Sequence, residues 1–245
     1  MSMPWPPARA SHRAHPNAPT RTPAGRPKRL APTRAATVPA VSAALVVMAK
    51  EPLPGRVKTR LCPPLTHEQA AQLAEAALAD TLEAVAWTPA SRRVLVLDGS
   101  PGAWLPPGFD VIAQRGDGLA ERLSNATRDV GEALVVVGMD TPQLTRGLLR
   151  EALARLEGAG AILGPTADGG YWTIGLREPD PRAFEGVPMS TAGTAAAQRE
   201  RLAQLGLHAA ELEPLRDVDS WEDAVAVAAL APWTRFAATL ELLTG

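Results

Sequence analysis

A single cysteine, Cys62, occurs in the whole chain, which excludes an intramolecular disulfide and any all-cysteine metal site and fits a reducing compartment. On its own it reads as a small apolar filler. No apolar run approaches the ~18 residues that a spanning helix needs. The segment "VPAVSAALVVMA" behind a basic tail has the outline of a signal-peptide core but lacks a convincing cleavage site, so the expected location is cytoplasmic. Residues 1 to 40 lack any acid yet carry seven Arg or Lys, which leaves 18 basic against 26 acidic residues from Val41 onward, a formal charge of about −8. An acidic body argues against nucleic acid as the main partner, because a duplex binder carries a basic face that neutralises phosphates.

The 245 residues, 46% hydrophobic and 21% charged, suit a soluble globular protein with a sizeable core. Residues 1–40, rich in Pro, Ala and Arg and without hydrophobic periodicity, read as a disordered and dispensable extension. From residue 41 to 245 short β-rich runs alternate with helical ones, the pattern of βαβ units in one mostly parallel α/β domain. "ALVVMA" (44–49) is apolar throughout, as expected of a strand covered on both faces. Thr66 and Gln69 form a capping-box pattern that opens a helix over 67–86. Further strands are expected at 92–98, 109–114, 133–138, "AILG", "YWTIGL" and "LHAAELE". Helices are expected at 118–131, after Thr145, at 192–206, after Ser220, and in a last amphipathic stretch to about Leu243.

Four segments carry the chemistry. "AKEPLPGRVKTRL" (49–61) leaves the first strand at the carboxyl edge, where open α/β sheets bind ligands. Gly55 permits close backbone approach, and Arg56, Lys58 and Arg60 are charge-assisted donors suited to phosphate oxygens. The spacing is neither a Walker loop nor a dinucleotide fingerprint, so phosphate cradle and solvated basic face stay equally open. "VVVGMDTPQLT" puts Asp140 just past a buried strand, placed either to reach a divalent cation or to start a turn. "GPTADGGYWTIG" holds Asp168 with Gly169 and Gly170 in what reads mostly as a turn. "LRDVDSWEDA" offers Asp217 and Asp219 before a helix; on an extended segment two such carboxylates point to opposite faces, and Asp219 is the one expected to join Asp140. The four histidines form no metal pair, and Tyr171 and Trp172 read as packing residues.

Taken in order, "AKEPLPGRVKTRL", "GDGLAERL", "VVVGMDTPQLT", "LGPTADGGYWTIGL", "VPMSTAGT" and "DVDSWEDA" resemble the bacterial GT-A-fold proteins of the DUF2064 family, over roughly 44–225. More distantly the opening resembles phospholactate guanylyltransferases, and the Asp140 strand resembles that of molybdenum-cofactor nucleotidyltransferases. The resemblance implies a GT-A fold, a Rossmann-like three-layer α/β/α sandwich. It implies phosphate binding by the basic loop, with Lys50, Gly55, Arg56, Lys58, Thr59 and Arg60 as the expected set. It further implies Mg²⁺ or Mn²⁺ at Asp140 and Asp219, and an acceptor side at Asp168, Gly169, Gly170, Ser190 and Thr191. Lys58, Asp140 and Asp168 are the expected catalytic residues. The chain departs from the family pattern at Met139, Thr141 and Met189.

Three functions follow as expectations. The first is Mg²⁺-dependent nucleotidyl transfer from a nucleoside triphosphate to a small acceptor, favoured by three bases in one loop. The second is glycosyl transfer from a nucleotide sugar with Asp168 or a neighbour activating the acceptor, weakened by the lone aspartate before Thr-Pro where a D-x-D pair would be expected. The third is a non-catalytic binding module. Base, sugar, acceptor and oligomeric state are not legible.

Overall fold

The structure, a computed structural model, describes residues 43–245; the extension read over 1–40 lies outside the described residues. Seven strands form one sheet: β1 (Ala44–Lys50), β2 (Arg93–Asp98), β3 (Asp110–Ala113), β4 (Leu134–Val137), β5 (Ala161–Pro165), β6 (Tyr171–Leu176) and β7 (Ala209–Glu211). Their order is β3-β2-β1-β4-β6-β5-β7. β6 runs against its neighbours β4 and β5, and every other pairing is parallel. The expected mostly parallel sheet is therefore present. The 133–138 run stands at its centre.

Period-two geometry sends alternate residues of β1 to opposite faces. Leu45, Val47 and Ala49 enter one core, and Ala44, Val46 and Met48 enter the other. The first core is covered by α1 (His67–Ala86) and α3 (Arg146–Gly158), and the second by α2 (Leu119–Val130) and α4 (Thr194–Gln204). The result is a three-layer α/β/α sandwich. A strand buried on both faces has to be apolar at every position, which is why "ALVVMA" shows no alternation.

The helix α1 starts where the capping box places it. Thr66 Oγ1 accepts from Gln69 N–H at 3.2 Å, and Thr66 N–H donates to Gln69 Oε1 at 2.9 Å. Its Ala71, Ala74, Leu78, Leu82 and Val85 face the sheet. Its Ala70, Leu73 and Ala77 face a third core built with α5 (Trp221–Leu230) and α6 (Arg235–Thr244). Leu78 and Leu82 are fully buried, each contributing roughly 1.5–3 kcal/mol by leaving water. The outer helices α5 and α6 thus hold α1 from behind, and the segment that leads into α5 is pulled across the sheet edge.

Candidate active site

β1 and β4 are neighbours, yet the chain continues from β1 to β2 on one side while β4 lies on the other. Loops leaving such a pair diverge, and the crevice between them is where open α/β sheets bind ligands. A cavity of about 620 Å³ opens there. Lys50, Arg56, Lys58, Thr59 and Arg60 line it from the β1 side; Asp140, Ser190 and Asp219 line it from the other. Those eight expected residues are brought together. Gly55, Asp168, Gly169, Gly170 and Thr191 are not among its lining residues.

The basic loop is shaped by its own apolar and turn residues. Arg56 N–H donates to the Leu53 carbonyl at 3.1 Å, closing a turn in which Gly55 adopts φ 73°, a left-handed conformation that glycine takes without Cβ strain. Val57 and Leu61 are buried in two different cores. These anchors hold the intervening bases over the sheet edge. Lys58 itself has φ 50° and precedes a 3₁₀ turn at Thr59–Leu61.

Lys58 reaches across the crevice. Its ammonium donates to the Val218 carbonyl and pairs with Asp140 Oδ1, with Asp219 Oδ1 at 3.8 Å. Its side chain is 9% exposed, and a buried ammonium is tolerated only when paired and hydrogen-bonded. Arg60 Nη1 takes the other oxygen of Asp219 at 3.2 Å. Main-chain pairing of Val218 N–H with the Asp140 carbonyl at 2.9 Å joins the 215–220 segment to the loop after β4.

The expectation that Asp217 and Asp219 face opposite ways is corrected by the structure. Asp168, Asp217 and Asp219 each bring one carboxylate oxygen within 4.8 Å of the others. Alternation holds for a regular strand, whereas residues 216–219 belong to none; their path is bent by the Val218 bond to Asp140 and by the Ser220 capping box of α5. Desolvation pushes the Asp217 carboxyl up to about 6, and the charges of Asp168 and Asp219 push it the same way.

Gly169 serves the chain's own packing. A Cβ there would lie 2.0 Å from the Ala192 carbonyl oxygen, and Gly169 O accepts from Ala195 N–H at 2.9 Å. This contact fixes the loop carrying Ser190 and Thr191 against the β5–β6 turn. Thr191 Oγ1 accepts from Gly193 N–H at the start of α4, so its hydroxyl is occupied locally. Tyr171 lines the cavity and donates to Gln198 Oε1 at 3.3 Å, with Met189 Sδ at 3.7 Å; burial pushes its phenol pKa up. Met139 is buried and its sulfur accepts from Lys50 N–H at 3.3 Å, while buried Thr141 leaves Oγ1 without a partner among the described residues.

Sequence reading misses the far wall of the cavity. Arg122 donates to Asp98 Oδ2 at 2.9 Å, to Gln114 Oε1 at 3.0 Å and to the Gly116 carbonyl at 3.1 Å. Gln114 in turn donates to the Ala49 and Val96 carbonyls, and Asp98 lies 3.6 Å from Arg56. Arg122 falls within "GDGLAERL", where it looks like an ordinary polar helix residue. Only the fold brings it to Asp98, 24 residues away in the chain.

A family profile described as "Uncharacterized protein conserved in bacteria (DUF2064)" matches residues 68–191, half of the chain. The chain belongs to the DUF2064 family. That match runs from the first turn of α1 to Thr191, so the basic loop and the 217–219 carboxylates of this DUF2064 protein lie outside it. Among solved structures, the chain is similar to a Desulfovibrio desulfuricans G20 protein provisionally described as a nucleotide-diphospho-sugar transferase: 28% identity, TM-score 0.74, covering 82% of this chain and 94% of that one. A manganese complex of Rv0371C from Mycobacterium tuberculosis H37Rv matches at 22% identity and TM-score 0.46, over 76% and 97% of the two chains. The 2-C-methyl-D-erythritol 4-phosphate cytidylyltransferase of Thermus thermophilus matches at 18% identity and TM-score 0.44, over 78% and 98%. No curated protein matches. The fold of this DUF2064 protein is of the GT-A type. Among the described residues no helix is long and apolar enough to cross a membrane.

Proposed function

We propose that this protein is a metal-dependent nucleotidyltransferase. An acceptor phosphate or hydroxyl oxygen attacks the α-phosphorus of a nucleoside triphosphate, the bond to the β-phosphate bridging oxygen breaks, and pyrophosphate leaves. The observation that carries this reading is the convergence of Lys50, Arg56, Lys58 and Arg60 with Asp140 and Asp219 on one cavity at the β1/β4 divergence. Four cationic side chains, three of them also paired with Asp98, Asp140 or Asp219, offer donors for the phosphate oxygens of a triphosphate, and transfer at phosphorus depends mainly on positioning and charge neutralisation.

The donor set fits a hard divalent cation. Asp140 and Asp219 supply carboxylate oxygens, the class that Mg²⁺ and Mn²⁺ select, and Asp217, grouped with Asp219 and Asp168, is a carboxyl held up by burial and by negative neighbours. Asp140 and Asp219 are the proposed ligands, with Asp217 adjacent; a bound cation would supply Lewis-acid neutralisation of phosphate charge. Lys50, Arg56, Lys58, Thr59 and Arg60, with the Gly55 turn, bind and orient the phosphates. Asp168, Gly169, Gly170, Ser190 and Thr191 are the residues proposed for the acceptor side: Ser190 lines the cavity, Thr191 and the glycines set the loop that carries it, and Asp168, outside that lining with Oδ1 accepting from Thr166 Oγ1 and Gly170 N–H, would take the acceptor's proton through its other oxygen.

A second reading, glycosyl transfer from a nucleotide sugar, is supported by the description of the Desulfovibrio relative. The two separate by ligand-induced thermal stabilisation with Mg²⁺ or Mn²⁺ present. Stabilisation by nucleoside triphosphates, followed by pyrophosphate release with an acceptor panel, is the expected result. Stabilisation by nucleotide sugars alone would overturn nucleotidyl transfer in favour of the glycosyl reading.

A further inference from the structure

The Lys58 ammonium lies among three oxygens from two distant segments: Asp140 Oδ1, the Val218 carbonyl and Asp219 Oδ1. Carboxylate and main-chain carbonyl oxygens are also the donors that a hard divalent cation takes. The ammonium therefore stands in a cage of metal-binding chemistry. With Arg60 on the second oxygen of Asp219, two carboxylates already face two cationic groups. A divalent cation arriving between Asp140 and Asp219 meets repulsion from an ammonium that shares its ligands; the lysine side chain is 9% exposed, while the two carboxylates, 44% and 43% exposed, stay open to solvent and to an incoming ion.

The backbone at Lys58 is consistent with a residue held in place by its side chain. A lysine at φ 50° occupies a sparsely populated region. Among the described contacts, the Leu61 N–H bond to the Lys58 carbonyl is the local main-chain restraint, and the long-range restraint is the Nζ contact with Asp140 and Val218.

We infer that Lys58 is an exchangeable internal cation: it fills the Asp140–Asp219 gap in the nucleotide-free protein, and a divalent cation enters only as nucleotide phosphates draw the ammonium out. The inference rests on the metal reading proposed above and adds an order of events. Metal and nucleotide bind together, and metal alone binds poorly. One cation leaves the carboxylates as another arrives, so their charge stays compensated, and the departing ammonium meets phosphate oxygens within the same cavity.

The test is a Mn²⁺ titration, followed by electron paramagnetic resonance, of the wild-type chain and Lys58→Met, which keeps an apolar stem and removes the charge. For the wild type, Mn²⁺ affinity is expected to rise about tenfold or more when a non-hydrolysable triphosphate is added. For Lys58→Met, affinity for Mn²⁺ alone is expected to exceed the wild-type value by about tenfold, with weakened triphosphate binding. Unchanged or weaker Mn²⁺ binding by Lys58→Met overturns the exchange and makes Lys58 a permanent counterion. Wild-type Mn²⁺ binding that is equally tight with and without triphosphate also overturns it, while leaving the metal reading intact. Absence of Mn²⁺ binding in both proteins under both conditions overturns the metal reading and the exchange together. Should Lys58→Met fail to fold, Lys58→Gln, which also removes the charge, takes its place in the same titrations with the same expected and overturning results.

Discussion

Asp217 and Asp219, separated by one residue, turn a carboxylate oxygen each into the same cluster, within 4.8 Å of one another and of Asp168. The crowding has a pH signature. Desolvation, then Asp168 and Asp219, raise the Asp217 carboxyl from its ordinary 3.8 to about 6, so the folded chain holds a proton that the unfolded chain has released. That proton adds stability in full below about 3.8, and the contribution is lost as pH rises through about 6. Relative to Asp217→Asn, the metal-free wild type is expected to lose a few degrees of melting temperature between about pH 5 and 7. A pH-independent difference in calorimetry would contradict the assignment.

Arg60 separates binding from folding. Its side chain is 78% exposed and its pair with Asp219 is a surface one, so Arg60→Ala is expected to change stability by under about 1 kcal/mol. A charge-assisted bond to a ligand phosphate is worth about 1.5–3 kcal/mol, so triphosphate affinity should fall about 10- to 100-fold by titration calorimetry. Unaltered affinity would remove Arg60 from the phosphate cradle.

Gly169 and Gly55 both have positive φ but differ in surroundings. A Cβ on Gly169 would lie 2.0 Å from the Ala192 carbonyl oxygen, whereas one on Gly55 meets nothing within 4 Å. Gly55→Ala should therefore cost only the left-handed backbone strain, about 1–2 kcal/mol. Gly169→Ala adds a backbone collision and should cost about 3 kcal/mol or more, read by denaturant titration. Equal costs would mean that the 190–193 loop moves freely away.

Arg122→Lys removes a planar fork that serves Asp98, Gln114 and Gly116 at once. An ammonium cannot satisfy all three with that geometry. Stability is expected to fall by about 1–3 kcal/mol, with weaker triphosphate binding as the cavity wall relaxes. A variant that melts with the wild type would show that the three bonds are dispensable.

Much of the fold is legible in local chemistry. Thr66 and Gln69 mark the start of α1 because a capping box is a contact between residues three apart. The strand read at 207–213 shortens to Ala209–Glu211, since β7 pairs only with β5 over three residues. Of the site, Lys50, Arg56, Lys58, Thr59, Arg60, Asp140, Ser190 and Asp219 line the cavity. Arg122, Gln114 and Asp98 give no comparable signal, because a helix arginine and a strand-end aspartate are ordinary until packing opposes them. Strand alternation sets Asp217 apart from Asp219, but that rule has no force in a segment outside any regular strand.

The sequence by itself determined the alternation of strands and helices, the exit of a basic loop from the first strand, and the family to which the chain belongs. These follow from periodicity, capping and motif order, all read over a few residues at a time. Only the tertiary structure decided that Lys58 is buried against Asp140 and Val218, and that three aspartates from two segments form one cluster. Those contacts span up to 160 residues of chain, and their geometry is set by the divergence of β1 and β4 and by the α1–α5–α6 core that draws residues 215–220 across the sheet edge.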